Sequence, residues 1–360
     1  MKISFFDDEP EIYPLQYGGK ARTITNLAKE FVKLPEVEKV TILSKSIFSN
    51  KEKFIKDGVN YIALNDSNII ECLAKEINST DILNIHCCSF TFPKIRGKAK
   101  KFYFLHDVLI ATADKGSHLD KSLGGQFDAI IAPSEFAKSV YEKYRNMIKG
   151  KCPCYVIPRN LDRNIFYSIN REIIKNDKIA PKLVKDIINK YKYIIFFPSR
   201  PIEEKGGKYL KMLTEELNKK LGNYCVIGPF GKDNNLPKNF INTGWIKTEE
   251  LKYYYSIANV TLNLSILPES FSQVCIESVA CGTPVVAFPS GNIQNLSRLN
   301  DGIILVKKET KDILNGVLYA FKVKENKVQI DKDKQQIIQE FDTRTLIQKY
   351  MRLYNKFMGE

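Results

Sequence analysis

The chain has 360 residues, 44% hydrophobic and 27% charged, with 55 Lys and Arg against 41 Asp and Glu for a formal charge of +14. That length and apolar content exclude a disordered chain and a small stapled module, and suggest two domains of ordinary size. No run approaches the roughly 18 apolar residues of a membrane span, and Met1-Lys-Ile-Ser-Phe-Phe-Asp-Asp-Glu9 lacks a signal peptide's apolar centre, so the expected location is cytoplasmic.

Lys2 to Phe6 predicts a first strand. Tyr17-Gly-Gly-Lys20 follows, and then an amphipathic helix carrying Ile24, Leu27, Ala28, Phe31 and Val32. Strand, glycine pair and helix together open a Rossmann-like half, in which Gly18 and Gly19 let the backbone approach a ligand at the helix start. Further strands are expected at Lys39–Leu43, Tyr61–Leu64, Asp81–His86, Lys101–His106 and Asp128–Ala132. Helical patterns between several of them predict a parallel sheet wound on both faces, with ligands gathering beyond the carboxyl ends of the strands. His86 and His106 stand at two such ends. His118 lies in a polar loop.

A Lys-, Asn- and Asp-rich linker is expected near 167–190, and the strand Tyr193–Phe197 opens the second half. Tyr224–Gly228 and Asn259–Leu264 are further strands, with a helix at Glu249–Ile257 and a last helix at Thr345–Phe357. The most informative stretch is Pro268-Glu-Ser-Phe-Ser-Gln-Val-Cys-Ile-Glu-Ser-Val-Ala-Cys-Gly-Thr-Pro-Val-Val-Ala-Phe288. Ser270 and Gln273 have capping-box spacing, Gly282 and Pro284 end the helix, and Val285–Phe288 reads as a strand. The amides of Phe271, Ser272, Gln273 and Val274 are then expected in the first turn, an anion site suited to a diphosphate. Glu277, one turn on, suits the two hydroxyls of a ribose, and Glu269 in the preceding loop faces another part of the same ligand. The plainer alternative is a capped surface helix whose acid complements the helix dipole.

The pair Glu269 and Glu277 inside this stretch closely resembles the signature of the GT-B-fold, mostly retaining glycosyltransferases of family four, the glycosyl transferases group 1. Ser272 stands where that family often has Gly, and Ser278 where Ala is usual. The resemblance continues through Asp128-Ala-Ile-Ile-Ala-Pro-Ser134 and Tyr155-Val-Ile-Pro-Arg-Asn-Leu-Asp162. There Arg159-Asn160-Leu161 replaces the usual Asn-Gly-Val, and no catalytic role is carried onto it. Arg200 to Lys205-Gly-Gly207 resembles the family's Arg–Lys-Gly loop.

The resemblance implies an α/β chain of the GT-B type, two Rossmann-like doubly wound parallel-sheet domains facing across a cleft. Residues 1–170 would form the acceptor-side domain, 171–340 the nucleotide-sugar donor domain, and 341–360 a helix crossing back to the first. It implies sugar transfer from a nucleoside-diphosphate sugar to a hydroxyl acceptor with retention of configuration. The implied catalytic residues are His106, from the strand-end His-Asp, and Glu269 against the sugar ring. Gly18, Gly19, Arg200, Lys205, Trp245, Ile246, Phe271, Ser272, Gln273, Val274 and Glu277 would hold the donor. Arg200 and Lys205 would stabilise the charge gathering on the leaving diphosphate, so neither a metal nor a cofactor is expected.

Eight cysteines stand without any Cys-x-x-Cys pair beside only three histidines, which predicts reduced, mostly buried thiols and no structural zinc. Lys94, Arg96, Lys98, Lys100 and Lys101 form an acid-free run, and Lys138–Lys151 is also basic. The first half could therefore rest on the inner face of an anionic membrane, near a glycan or lipid-linked acceptor for polysaccharide synthesis; a solvated face explains the charge equally well. The rival readings are an epimerase or phosphorylase-like enzyme on the same architecture, a non-catalytic sugar-nucleotide module, and a DNA-binding module, the last disfavoured.

Overall fold

The computed structural model describes residues 1–7, 19–44, 53–64, 69–86, 97–106, 108, 127–147, 152–231 and 237–359. Gly18, Lys94, Arg96, Asp107, His118 and the pair Cys87 and Cys88 lie outside them. The chain divides into two units, Met1–Asn160 with Thr343–Glu360, and Leu161–Asp342.

In the first unit the described strands are β1 (Lys2–Asp7), β2 (Lys39–Ser44), β3 (Lys53–Lys56), β4 (Val59–Ala63), β5 (Ile82–Ile85), β6 (Lys100–Phe104), β7 (Ala129–Ala132) and β8 (Cys154–Val156). They form one sheet in the order β3-β4-β2-β1-β5-β6-β7-β8, every pair parallel except β3 with β4. Helices cover both faces, so the inner strands read as continuous apolar runs. Successive residues of β1 serve opposite faces. Ile3 and Phe5 join the core under the helices Gly19–Phe31 and Thr343–Met358. Phe6 joins the other core with Leu73 and Ile77 of the helix Ile69–Ser79.

The second unit repeats the plan with β9 (Tyr193–Phe196), β10 (Tyr224–Gly228), β11 (Phe240–Asn242), β12 (Val260–Asn263), β13 (Val285–Ala287) and β14 (Ile303–Leu305). Its order is β11-β10-β9-β12-β13-β14, parallel throughout. Counted within the unit, that is the 3-2-1-4-5-6 order of a Rossmann sheet. In β9, Ile194 and Phe196 enter one core and Ile195 the other. Each sheet has a switch point where its order reverses, between β1 and β5 in the first and between β9 and β12 in the second. Ligands gather at such crevices.

Two boundaries differ from expectation. The first unit ends at Asn160 rather than 170, because Leu161 already pairs with Asp342 and donates its amide to the Phe341 carbonyl at 2.7 Å. The expected linker is folded: helices Arg171–Asn176 and Lys182–Lys190 send Ile174, Val184 and Ile187 into the core of the second unit. Most of their charges lie on the outer faces, while Arg171 turns in and donates to Asn259 Oδ1 at 2.9 Å.

The last helix, Thr343–Met358, belongs to the first unit. Tyr350 and Tyr354 set their rings 6.1 and 5.8 Å from Phe31, and the Tyr354 hydroxyl donates to Asn84 Oδ1 at 2.7 Å. Burying such rings is among the larger single contributions to a core. Cys72, Cys152, Cys154, Cys225, Cys275 and Cys281 are free thiols. Burial pushes Cys225 and Cys275 up to about 12, which makes both poor nucleophiles. Among the described residues no helix is long and apolar enough to cross a membrane.

Candidate active site

The second unit gathers its chemistry just beyond β9 and β12, at the switch point. After β9 the chain runs through exposed Arg200 into a single 3-10 turn, Glu203–Lys205. Gly206 ends that turn at φ +81°, and a Cβ there would stand 2.2 Å from the Leu264 carbonyl oxygen. Only glycine allows this approach, and it lays the Lys205 loop against the end of β12. Lys205 Nζ then reaches Glu269 Oε1 at 2.8 Å and Ser265 Oγ at 3.3 Å, while Ser265 Oγ donates to the same Glu269 oxygen at 2.5 Å. Burial works to raise the pKa of Glu269, but the Lys205 charge and hydrogen bonds from Lys205, Ser265 and Ser272 outweigh it and hold it below the ordinary value. Glu269 is therefore a carboxylate at neutral pH. Ser265 was not singled out from sequence; its place directly beyond a strand end was the available signal.

The following helix spans Gln273–Ala280. The Ser270–Gln273 capping box does not form: Ser272 is the N-cap residue and no side chain caps the end. Gln273, Val274 and Cys275 supply the first-turn amides, whereas Phe271 and Ser272 precede the helix. Phe271 is a buried core residue, edge-on to Phe341 at 5.3 Å. The reason lies in Ser272, which turns the chain at φ +84°. A non-glycine residue there stores about 1–3 kcal/mol of strain. Its hydroxyl compensates, accepting from Asn263 Nδ2 at 2.7 Å and meeting Cys275 Sγ at 3.2 Å.

Glu277 is 1% exposed, and its Oε2 accepts from the Tyr255 hydroxyl at 3.1 Å. The far end closes as a Schellman motif, with the Gly282 amide (φ +73°) to the Val279 carbonyl and the Thr283 amide to that of Ser278. Lys324 Nζ donates to the Gly282 carbonyl at 2.6 Å and to Thr283 Oγ1 at 2.7 Å. Ser278 is buried and donates to the Thr283 carbonyl at 2.8 Å, a bond that alanine could not make. In the loop after β11, Trp245 is 75% exposed and Ile246 packs against the core.

The first unit also concentrates its polar groups at strand ends. Gly19 is the first residue of the helix Gly19–Phe31. The next residue, Lys20, pairs at 2.7 Å with Asp7 at the end of β1, both nearly buried. His86 directly follows β5 and His106 lies two residues beyond β6. Because β5 and β6 are neighbours, the two rings meet, with His86 Nδ1 2.7 Å from His106 Nε2. His86 also stacks on Phe104 at 4.0 Å. Arg159 Nη2 lies 3.1 Å from His106 Nδ1 and 3.1 Å from the His106 carbonyl oxygen. Burial first, then the nearby cations, keeps both imidazoles well below the ordinary histidine range. His106 is thus a neutral base held by partners, and Arg159 joins a site to which sequence assigned it no role. Its departure from the familiar Asn-Gly-Val was the only hint.

Residues 181–337 match the family model of glycosyl transferases group 1. The second unit is a glycosyl transferases group 1 domain. No curated protein matches the chain. Solved structures share its fold at low identity. Sucrose-phosphate synthase from Thermosynechococcus elongatus is 15% identical with a TM-score of 0.74, over 99% of each chain. Anabaena HepE in complex with UDP-glucose is 16% identical with a TM-score of 0.73, over 99% of this chain and 100% of that one. A glycosyltransferase from Rickettsia africae is 18% identical at 0.71, over 99% of each. The fold is GT-B, built of two Rossmann-like units.

Proposed function

We propose that this group 1 glycosyltransferase moves a sugar from a nucleoside-diphosphate sugar to a hydroxyl acceptor with retention of anomeric configuration. The observation that carries the reading is the Lys205–Ser265–Glu269 cluster at the switch point of the group 1 domain. An ammonium has three donors. Glu269 and Ser265 take two, and the third is available to a phosphate oxygen. With Arg200 it would stabilise charge on the departing diphosphate as the glycosidic bond breaks.

Glu269, kept ionised, would face the sugar. Glu277, oriented by Tyr255, would take the ribose hydroxyls. Gln273 and Val274 amides would meet the diphosphate, beside the backbone of Trp245 and Ile246. In the proposed step the bond from the anomeric carbon to the diphosphate oxygen breaks and the acceptor oxygen bonds on the same face. The acceptor's proton passes to the departing phosphate. His106 belongs to the same catalytic reading, together with the glycine loop at Gly19.

The acceptor we propose is a glycan or lipid-linked precursor, presented at the inner face of a membrane. Of the basic residues that motivate this, Lys98 and Lys143 are exposed, while Lys100 is paired with Asp128 at 3.7 Å. Flotation with anionic vesicles at low salt tests the membrane contact; no co-flotation removes it. The function is tested by incubating the chain with UDP-, GDP-, ADP- and dTDP-sugars and a hydroxyl acceptor, and reading the product anomer by NMR. One donor turned over with its configuration kept is the expected result. An inverted product would refute retention, and no turnover of any donor would refute the donor class.

A further inference from the structure

We infer that Arg159 is a positioning residue: its paired contacts to the ring and the carbonyl of His106 fix that imidazole as the tautomer protonated on Nε2, with the proton directed at His86. The chemistry of the donors decides this. A guanidinium carries only donors, so the His106 Nδ1 facing Arg159 Nη2 at 3.1 Å must be an acceptor. A neutral imidazole with Nδ1 bare carries its proton on Nε2. That nitrogen is 2.7 Å from His86 Nδ1, which must then accept. The proton of His86 is left on its own Nε2.

Among the described residues His86 Nε2 is buried without a hydrogen-bond partner in either ordering, so that nitrogen does not choose between them. The choice is made at the Arg159 contact, where a donor facing a donor would forfeit a buried hydrogen bond. Here the other arrangement would turn a His106 Nδ1 proton toward a guanidinium. The second Arg159 contact, to the His106 carbonyl at 3.1 Å, ties the same cation to the backbone and sets the ring's orientation as well as its proton.

Among the described residues, the charged and titratable groups around the pair are Lys20 with Asp7 from β1 and the helix after it, Arg159 beyond β8, and Tyr350 from the last helix. Lys20 and Arg159 both oppose a positive His106. The ring is therefore a fixed neutral dipole, and it neither gives nor takes a proton during transfer. The consequence for turnover rests on the proposed role of His106; the tautomer does not.

Long-range proton–nitrogen correlation NMR on the full chain, labelled with nitrogen-15 histidine, reads the tautomer directly. A bare Nδ1 and protonated Nε2 on His106, persisting below the pH at which an ordinary histidine takes up its proton, is expected. A proton on His106 Nδ1 overturns the inference, and this wild-type spectrum requires no variant to fold. In Arg159→Ala, His106 Nδ1 loses the donor that keeps it bare, so both tautomers should appear in the spectrum and kcat should fall with KM unchanged. Arg159→Lys, which keeps a donor, should restore part of it. An Arg159→Ala chain that keeps the wild-type tautomer alone also overturns the inference. Wild-type turnover in His106→Gln would instead defeat the catalytic reading of His106 and leave the tautomer result standing.

Discussion

Both units place chemistry beyond the carboxyl ends of neighbouring parallel strands, and they solve its electrostatics in opposite ways. Beyond β5 and β6, two imidazoles are kept neutral by burial, by cations and by an aromatic wall. Beyond β9 and β12, a carboxylate is kept charged by an ammonium at 2.8 Å. Burial pushes against charge in both places. It prevails where the neighbours share the sign of the titrating form, and loses where a partner of opposite sign is within hydrogen-bond reach. Fold fixes where a site lies; the residues at the strand ends decide what it can do.

The largest expected effect separates the two units. Tyr354→Ala removes a fully buried ring and the hydrogen bond to Asn84, and should cost about 3–5 kcal/mol. Hydrogen exchange should quicken in β1, β5 and β6 and stay unchanged in β9 to β13. Equal quickening in both sheets would mean that the units share one cooperative core.

Lys205→Met strikes the charged cluster alone. Loss of a donor to the developing diphosphate charge should lower kcat by about a hundred- to a thousandfold. The accompanying stability loss should be about 1 kcal/mol, since the Lys205 side chain is 40% exposed. The depressed Glu269 gives that stability a sign with pH. It is present above the unfolded carboxyl value and is lost as pH falls through the folded one. Urea titrations of wild type and variant should therefore converge in acid, below about pH 4.

Lys324 asks whether the second unit also neutralises a base by burial. Burial, and then the Arg171 charge, lowers its pKa to about 7. The unfolded chain keeps that proton up to about pH 10.4. Unfolding then takes up a proton in the window between, so stability should rise with pH by at most about 1.4 kcal/mol per unit. Lys324→Met should lose that slope in urea denaturation between about pH 7 and pH 9.

The smallest effect concerns Ser272. Ser272→Gly relieves the φ +84° strain but gives up the bond to Asn263, so stability should change by less than about 1 kcal/mol. A thermal melt that moved further would show one of the two terms dominating.

The sheets were legible because strands buried on both faces are written as apolar runs, as in Tyr193–Phe196 and Ala129–Ala132. β3 was not, because Lys53-Phe-Ile-Lys56 is a short, exposed edge. β8 and β14 have three residues each, too few for a period to emerge, and lack the Gly282 and Pro284 stop that announces the equally short β13. The order of motifs pointed to Lys205 and Glu269 but not to their contact, which joins residues 64 positions apart. Arg159 and His106 are 53 apart, and no local pattern couples them. The capping box failed for a local reason: spacing alone cannot report a φ of +84° at the residue between. The linker misreading came from counting charges instead of their helical phase.

Isothermal titration of the donor found by the panel, on wild type and Glu277→Gln, tests the central claim most directly. If the group 1 domain holds a nucleoside-diphosphate sugar through that carboxylate, Glu277→Gln should weaken binding by about 10- to 150-fold, the worth of charged hydrogen bonds, with the melting curve little changed. Equal affinity in both chains would contradict it, and the carboxylate that Tyr255 holds would then be a structural group of the second unit.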